Sequence, residues 1–170
     1  MAEAPTLMRA ALPAAPVERP GVRISALPAG HVIQVLAASG SGDLRQRVSV
    51  LADGTSHALR KAGPDGWYLV GEAPWSRSRL DEAGAALGES AALVDQSHGR
   101  VRIGLSGPGC RRLLATGTAV DLSDAMFPVG AATETLFGHV GVHLTRVGED
   151  AYEILVGRTF AQTLWDELCH

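Results

Sequence analysis

The feature that most constrains this chain is the period-two alternation of its last third, Val94 to Leu168. Side chains of a strand point to opposite faces in turn, so a run of alternating apolar and polar residues describes a strand with one side buried. Val101, Ile103 and Leu105 form one such run, broken at Ser106-Gly107-Pro108-Gly109. From Thr135 to Leu144 the pattern returns, with Val140, Val142 and Leu144 on one side and His139, Gly141 and His143 on the other, which predicts a single half-buried strand. A turn at Gly148-Glu149-Asp150 leads into Tyr152-Glu153-Ile154-Leu155-Val156. Everything upstream reads as a smaller β-rich unit that must find its core against this block.

Two helices belong to the same stretch. Pro108 suits a first helical position, where its missing N–H has no intrahelical partner to lose. The helix it opens carries Cys110, Leu113, Leu114 and Gly117 on one face, with Arg111 and Arg112 turned to solvent. The closing helix has its own start signal. Thr159 followed by Gln162 fits a capping box, and Phe160, Leu164 and Leu168 share a stripe with Trp165 beside it.

Upstream, residues 1–20 are rich in Ala and Pro and are expected to be a flexible arm. His31 to Leu36 reads as a strand closed by the loop Ser39-Gly40-Ser41-Gly42, and Leu44 to Ala52 has no decisive pattern. Two strands, His57 to Arg60 and Trp67 to Val70, flank the turn Gly63-Pro64-Asp65-Gly66, with Trp67 as a core anchor. Leu80, Ala83 and Leu87 set a helix from Arg77 that stops at Gly88. Leu93 to Ser97 and Arg100 to Leu105 are short strands joined at His98-Gly99. The fold class is therefore α+β, with residues 21–90 a β-rich sub-domain and 91–170 a β-α-β-β-α sub-domain.

Composition excludes several functions. A net charge of −3 and a pI near 6.0 give no basic field for nucleic acid. Ile24 to Gly42 lacks formal charge, but its Pro, Gly, His and Gln make it a poor membrane span, and no signal peptide is visible. Two cysteines, Cys110 and Cys169, form no disulfide framework, which suits a reduced cytoplasmic protein.

The search for chemistry returns little. His139 and His143 on one strand face sit about 13 Å apart by the rise per residue, too far for one zinc, and read as solvent-facing or interface residues. Cys110 lacks an identifiable base and reads as a buried structural thiol. The Ser106 to Gly109 turn has neither a following lysine nor a glycine fingerprint and reads as a helix cap. Asp95 and Ser97 suit local hydrogen bonding to backbone, and Asp121 and Asp124, beside Ser123, are expected to be solvated or turn-forming. No catalytic, cofactor-binding or metal-binding residue is assigned.

The last third resembles the aminomethyltransferase (glycine-cleavage T-protein) superfamily. The matching pieces are Val94-Asp95-Gln96-Ser97 before a strand, Ile103-Gly104-Leu105-Ser106-Gly107-Pro108 into a helix, and Thr118-Ala119-Val120-Asp121-Leu122 after it. Within that superfamily the chain resembles the gamma subunits of heterotetrameric sarcosine oxidase. Three stretches carry this: Gly63 to Val70; Asp121-Leu122 with Phe127-Pro128-Val129-Gly130 and Thr133 to Leu136; and Arg158-Thr159-Phe160-Ala161 running into Leu164 to Leu168. The gamma-type subunit of N-methylglutamate dehydrogenase shares this pattern.

The resemblance implies a T-protein-like domain of antiparallel strands with helices packed on one face. It implies an accessory subunit, without activity of its own, assembled with alpha, beta and delta subunits that carry FAD, FMN, NAD, folate and zinc. The reaction implied for the complex is oxidative demethylation of sarcosine to glycine, with folate taking the one-carbon unit. A working transferase has an aspartate-bearing segment after the central strands; here Ala131 to Val140 contains no aspartate. A stand-alone folate-binding protein and a thiol enzyme using Cys110 are the competing readings.

Overall fold

Alternating strands need partners for their backbone groups, and the chain supplies them by building two antiparallel sheets whose inner faces meet. The computed structural model describes residues 10–40, 42–52 and 57–170; residues 1–9 of the expected arm and Ser41 of the expected loop lie outside them. The larger sheet has six strands in the order β1 (Val17–Arg19), β2 (Val22–Ala26), β7 (Arg100–Ser106), β10 (Ala151–Gly157), β9 (Val140–Gly148), β8 (Ala132–Phe137). The smaller has four in the order β4 (Leu59–Lys61), β5 (Gly66–Gly71), β3 (His31–Ala37), β6 (Ala91–Asp95).

Each sheet covers its outer face with two helices. On the six-stranded sheet, Ile24, Ile103, Leu144 and Ile154 share one core with α3 (Cys110–Leu114) and α4 (Ala161–Cys169), the latter contributing Leu164, Trp165 and Leu168. On the four-stranded sheet, Ile33, Val35, Trp67 and Leu69 pack with Val48 of α1 (Arg45–Ser49) and Leu87 of α2 (Arg77–Leu87). Ser76 caps α2 by accepting a hydrogen bond from the Arg79 N–H, and Gly88 ends it with φ +56°. Those are the start and stop that a helix needs at its orphan backbone groups.

Several sequence expectations need correction. The alternation from Thr135 to Leu144 is a hairpin, β8 and β9 turning at Gly138-His139, and β9 is buried on both faces from Val142 to Arg146 because the second sheet covers it. The capping box at Thr159 does not form: a 3-10 turn at Arg158–Phe160 takes its place, α4 starts at Ala161, and Gln162 donates to Asp166. Phe160 leaves the core stripe and is exposed. Pro108 lies two residues ahead of α3, whose N-cap is Gly109.

The arm expected over residues 1–20 is ordered in its second half. Leu12 enters the large core and Val17–Arg19 pairs with β2. The division at residue 90 is also crossed, because strand pairing ignores chain order. β1 and β2 belong to the sheet built from the last third, while β6 returns to the smaller sheet beside β3.

The crossing from β2 to β3 passes Gly30, which sits at φ +51° against β5. A Cβ added there would lie 1.9 Å from the Gly71 carbonyl oxygen. We predict that Gly30→Ala destabilises the chain by about 1–3 kcal/mol in urea unfolding, through overpacking against backbone. A change within about 0.5 kcal/mol, typical of an indifferent surface site, would contradict it.

Candidate functional site

The inner faces of the two sheets meet along a seam that holds most of the buried charge in the described structure. Strand β10 reads Tyr152-Glu153-Ile154-Leu155-Val156 and is buried at all five positions, so the Glu153 carboxylate is carried inside with no route to water. A buried ion must be paired or neutralised, since desolvating it alone costs several kcal/mol. Two arginines pair it. Arg102 of the neighbouring strand β7 donates through Nε to Glu153 Oε1 at 2.7 Å and through Nη2 to Oε2 at 3.3 Å. Arg60, from β4 of the other sheet, donates through Nη2 to Oε2 at 2.8 Å.

Backbone carbonyls absorb the remaining positive charge. Arg102 Nη1 donates to Gly71 O at 3.1 Å, and Arg60 Nε to His57 O at 2.9 Å. Burial pushes the Glu153 carboxyl up, but hydrogen bonds from Arg102 and Arg60, and their charge, outweigh it and hold it below the ordinary 4.5. The carboxylate is thus ionised near neutral pH and fully engaged, which suits it to hold strands together and not to move protons.

A second set of contacts lies beside this triad. His143 of β9, fully buried, meets Lys61 O of β4 through Nε2 at 2.9 Å, so the neutral imidazole donates across the seam. Its ring lies edge-on to Tyr68 of β5 at 5.1 Å. Tyr68 OH accepts from Arg100 Nη2 at 2.8 Å, and Arg100 Nε donates to Gln96 Oε1 at 2.9 Å. Burial raises the Tyr68 phenol, Arg100 opposes this, and Glu134 adds to the rise. Val32, Tyr68, Val70 and Leu155 complete the seam as a small apolar cluster.

The residues singled out in the sequence are scattered around this seam. His139 and His143 are separated, one in an exposed turn and the other in the seam, so the expectation of a solvent-facing pair is corrected for His143. Cys110 is buried beneath α3, and desolvation first, then the Asp150 charge, push its thiol up to about 11. Ser97 donates through N–H and Oγ to Asp95 Oδ1 at 2.9 and 2.6 Å, and its Oγ also accepts from Val32 N at 3.0 Å. Asp121 accepts from Ser123 N at 2.9 Å, as a turn residue does.

Asp124 is solvated as expected, its side chain 71% exposed, but it also has a fastening role. It pairs with Arg111 and, at 2.6 Å, with buried Arg146, fastening the loop after α3 to β9. Arg111 is accordingly half-buried, not turned to solvent. Among the described residues no group of three or more His, Cys, Asp or Glu is placed to hold a metal ion. No helix among them is long and apolar enough to cross a membrane.

Sequence reasoning missed the triad, although one signal was present: a glutamate inside a strand otherwise apolar at every position. Such a residue must have cationic partners, but nothing in the sequence says that they are Arg60, 93 residues away, and Arg102, 51 residues away.

His143 is held below its ordinary 6.5, chiefly by burial, with the Arg60 and Arg100 charges adding and the Lys61 carbonyl and Glu134 opposing. It therefore stabilises the fold fully above pH 6.5, and that contribution is lost as pH falls through its folded-state value. Glu153 follows at lower pH, its contribution being full above 4.5. We predict that stability to urea declines below pH 6.5 and that His143→Gln, which can still donate to Lys61 O, flattens the decline between about pH 6.5 and 5. An unchanged slope in the variant would assign the loss to other groups.

Comparison with known proteins is consistent along the chain. A model of the sarcosine oxidase, gamma subunit family matches residues 26–169. The protein named sarcosine oxidase subunit gamma from Corynebacterium sp. (strain P-1) is 32% identical over 145 residues, covering 83% of this chain and 70% of the relative. Its namesake from Arthrobacter sp. is 34% identical over 138 residues, covering 79% of this chain and 66% of the relative.

Two solved structures share the fold. A chain of heterotetrameric sarcosine oxidase from Corynebacterium sp. U-96, in complex with pyrrole 2-carboxylate, aligns with a TM-score of 0.69 at 20% identity, over 87% of this chain and 82% of that one. The glycine cleavage system aminomethyltransferase T from Bartonella henselae aligns with a TM-score of 0.62 at 18% identity, over 88% of this chain and 46% of that one. The shared architecture is the α+β fold of antiparallel sheets flanked by helices.

Proposed function

This chain belongs to the sarcosine oxidase gamma subunit family, and from that membership we propose that it is an accessory, non-catalytic subunit of a heterotetrameric sarcosine oxidase. The family match across residues 26–169 carries this reading. The seam supports it: its ionisable groups are consumed by one another, Glu153 by two guanidiniums and His143 by a backbone carbonyl. Glu153 and His143, the groups in it that could move a proton, are almost wholly buried and engaged, so neither is poised beside a substrate in the way a reacting centre requires.

The partners in this reading are alpha, beta and delta subunits, and the complex carries out oxidative demethylation of sarcosine to glycine. Flavins, NAD, folate and zinc belong to those other chains. The aminomethyltransferase-like fold raises the possibility of folate here as well, but the residues do not fit it. Where the two sheets meet, the space is filled by buried Arg60, Arg102, Glu153, His143 and Tyr68, and the segment Ala131 to Val140 offers no aspartate. The names of the matched relatives favour sarcosine oxidase over an N-methylglutamate dehydrogenase. Free thiols at Cys110 and Cys169 are in keeping with a cytoplasmic complex.

Co-expression with the alpha, beta and delta subunits of the same organism tests the proposal. The tagged chain is expected to bring all three down in one stoichiometric complex that oxidises sarcosine, while the chain alone turns over no sarcosine and retains no flavin or folate. A chain that stays apart from the other subunits, or that oxidises sarcosine unaided, would overturn it.

A further inference from the structure

The seam is closed at its Glu153 end and open at the other. From Arg60 to Lys61 in β4 the sheets run in step, Arg60 meeting Glu153 of β10 and Lys61 meeting His143 of the adjacent β9. One step beyond, Leu36 lies opposite Gly66 on the small sheet and Leu136 opposite Gly141 on the large one, and both leucines reach solvent. Leu36 is 42% exposed and Leu136 is 57% exposed. Phe160, at 56%, stands beside Gly157 on the same edge, 3.8 Å from where a Cβ of that glycine would lie.

The floor between these side chains is bare backbone. A Cβ built on Gly141 meets nothing within 4 Å, and Gly141 and Gly157 sit one step past the paired Val142 and Val156. The row Leu136, Gly141, Gly157, Arg100 therefore crosses four adjacent strands, a width of about 14 Å at the usual strand spacing. Its Arg100 end is cationic and adjoins a cavity of about 240 Å³ that Arg100, Arg158 and His98 help to line. Scattered exposed apolar residues carry no meaning, but several around one uncovered floor mark a contact surface.

We propose that this open end of the seam is the face the subunit presents to a partner subunit of the oxidase. The partner lays an apolar side chain on the Gly141–Gly157 floor, between Leu136 and Phe160, and a carboxylate against Arg100. This rests on the subunit reading above, because membership of a hetero-assembly is what selects another subunit as the occupant; the charge of the row selects an acidic one. Glycines let the partner approach the backbone closely, and desolvation of an apolar centre with a charged rim is how such contacts obtain affinity and register.

The test is co-purification of the full complex with Leu136→Arg/Phe160→Arg, beside Val50→Arg as a control at a site 78% exposed on the helical side of the small sheet. The double variant is expected to keep the thermal midpoint of the parent chain and to lower the yield of assembled complex by more than about tenfold, about 1.4 kcal/mol of association. The control is expected to assemble normally. If the arginines impair folding, Leu136→Ser/Phe160→Ser is read in their place, with a smaller loss expected. Normal assembly of a folded double variant overturns the assignment of this face and leaves the subunit reading standing. Failure of the parent chain to assemble overturns both. A dimer of the chain alone that the double variant abolishes makes a second copy the occupant and overturns the proposal.

Discussion

The structure turns on one carboxylate. Glu153 sits in the central strand of the larger sheet, between an arginine of its own sheet and an arginine of the other. Arg102 alone would make an ion pair within one layer. Arg60 makes it a connection between layers, tying β4 of the small sheet to β10 of the large one. Arg60 Nη1 finds no hydrogen-bond partner among the described residues, so the triad is not an optimal store of stability. Buried ion pairs often cost about as much as they return against an apolar replacement. What the triad supplies is register: only one sliding position of the small sheet brings Arg60 to Glu153, and that position also brings His143 to Lys61 and Tyr68 to Arg100.

This register explains how a chain whose sheets exchange strands can behave as one body. The route runs from the larger sheet to the smaller at Gly30, and back again through the turn between β6 and β7. Each sheet has its own apolar core with its own helices, and the cores do not merge. Besides the triad, the layers are joined by the small cluster of Val32, Tyr68, Val70 and Leu155 and by the His143–Lys61, Arg100–Tyr68 and Arg102–Gly71 hydrogen bonds. For a subunit whose proposed work is to hold partners in place, a fixed angle between layers matters more than an additional increment of stability. The same fixed angle leaves the seam open at Leu36 and Leu136.

How far the sequence discloses all this depends on the range of the interaction. Strands β5, β7 and β10, helix α2 and the core position of Trp67 follow from local alternation and spacing, because adjacent residues decide them. The β8–β9 hairpin was hidden because the exposed Leu136 shares the even-numbered phase of Val140, Val142 and Leu144, so the inward turn of Phe137 in β8 was masked and a turn looked like a continuing strand. The capping box failed because tertiary packing favoured a 3-10 turn ahead of α4 and moved Phe160 outward. The family resemblance supplied the fold class but not the seam. Its essential residues are arginines and a glutamate that look like ordinary surface charges until strands distant in sequence bring them together.

The most direct measurement follows unfolding separately in the two cores. Trp67 reports the small sheet and Trp165 the large one, and each can be read alone after the other tryptophans are changed to phenylalanine. With Glu153 intact, the two fluorescence transitions in urea should coincide, as they do for a single cooperative unit. In the Glu153→Gln background, stability should fall by about 3–5 kcal/mol, the loss typical of a broken buried pair, and the two transitions should separate. Coincident transitions with a change within about 0.5 kcal/mol would show that the sheets are joined by something other than this carboxylate.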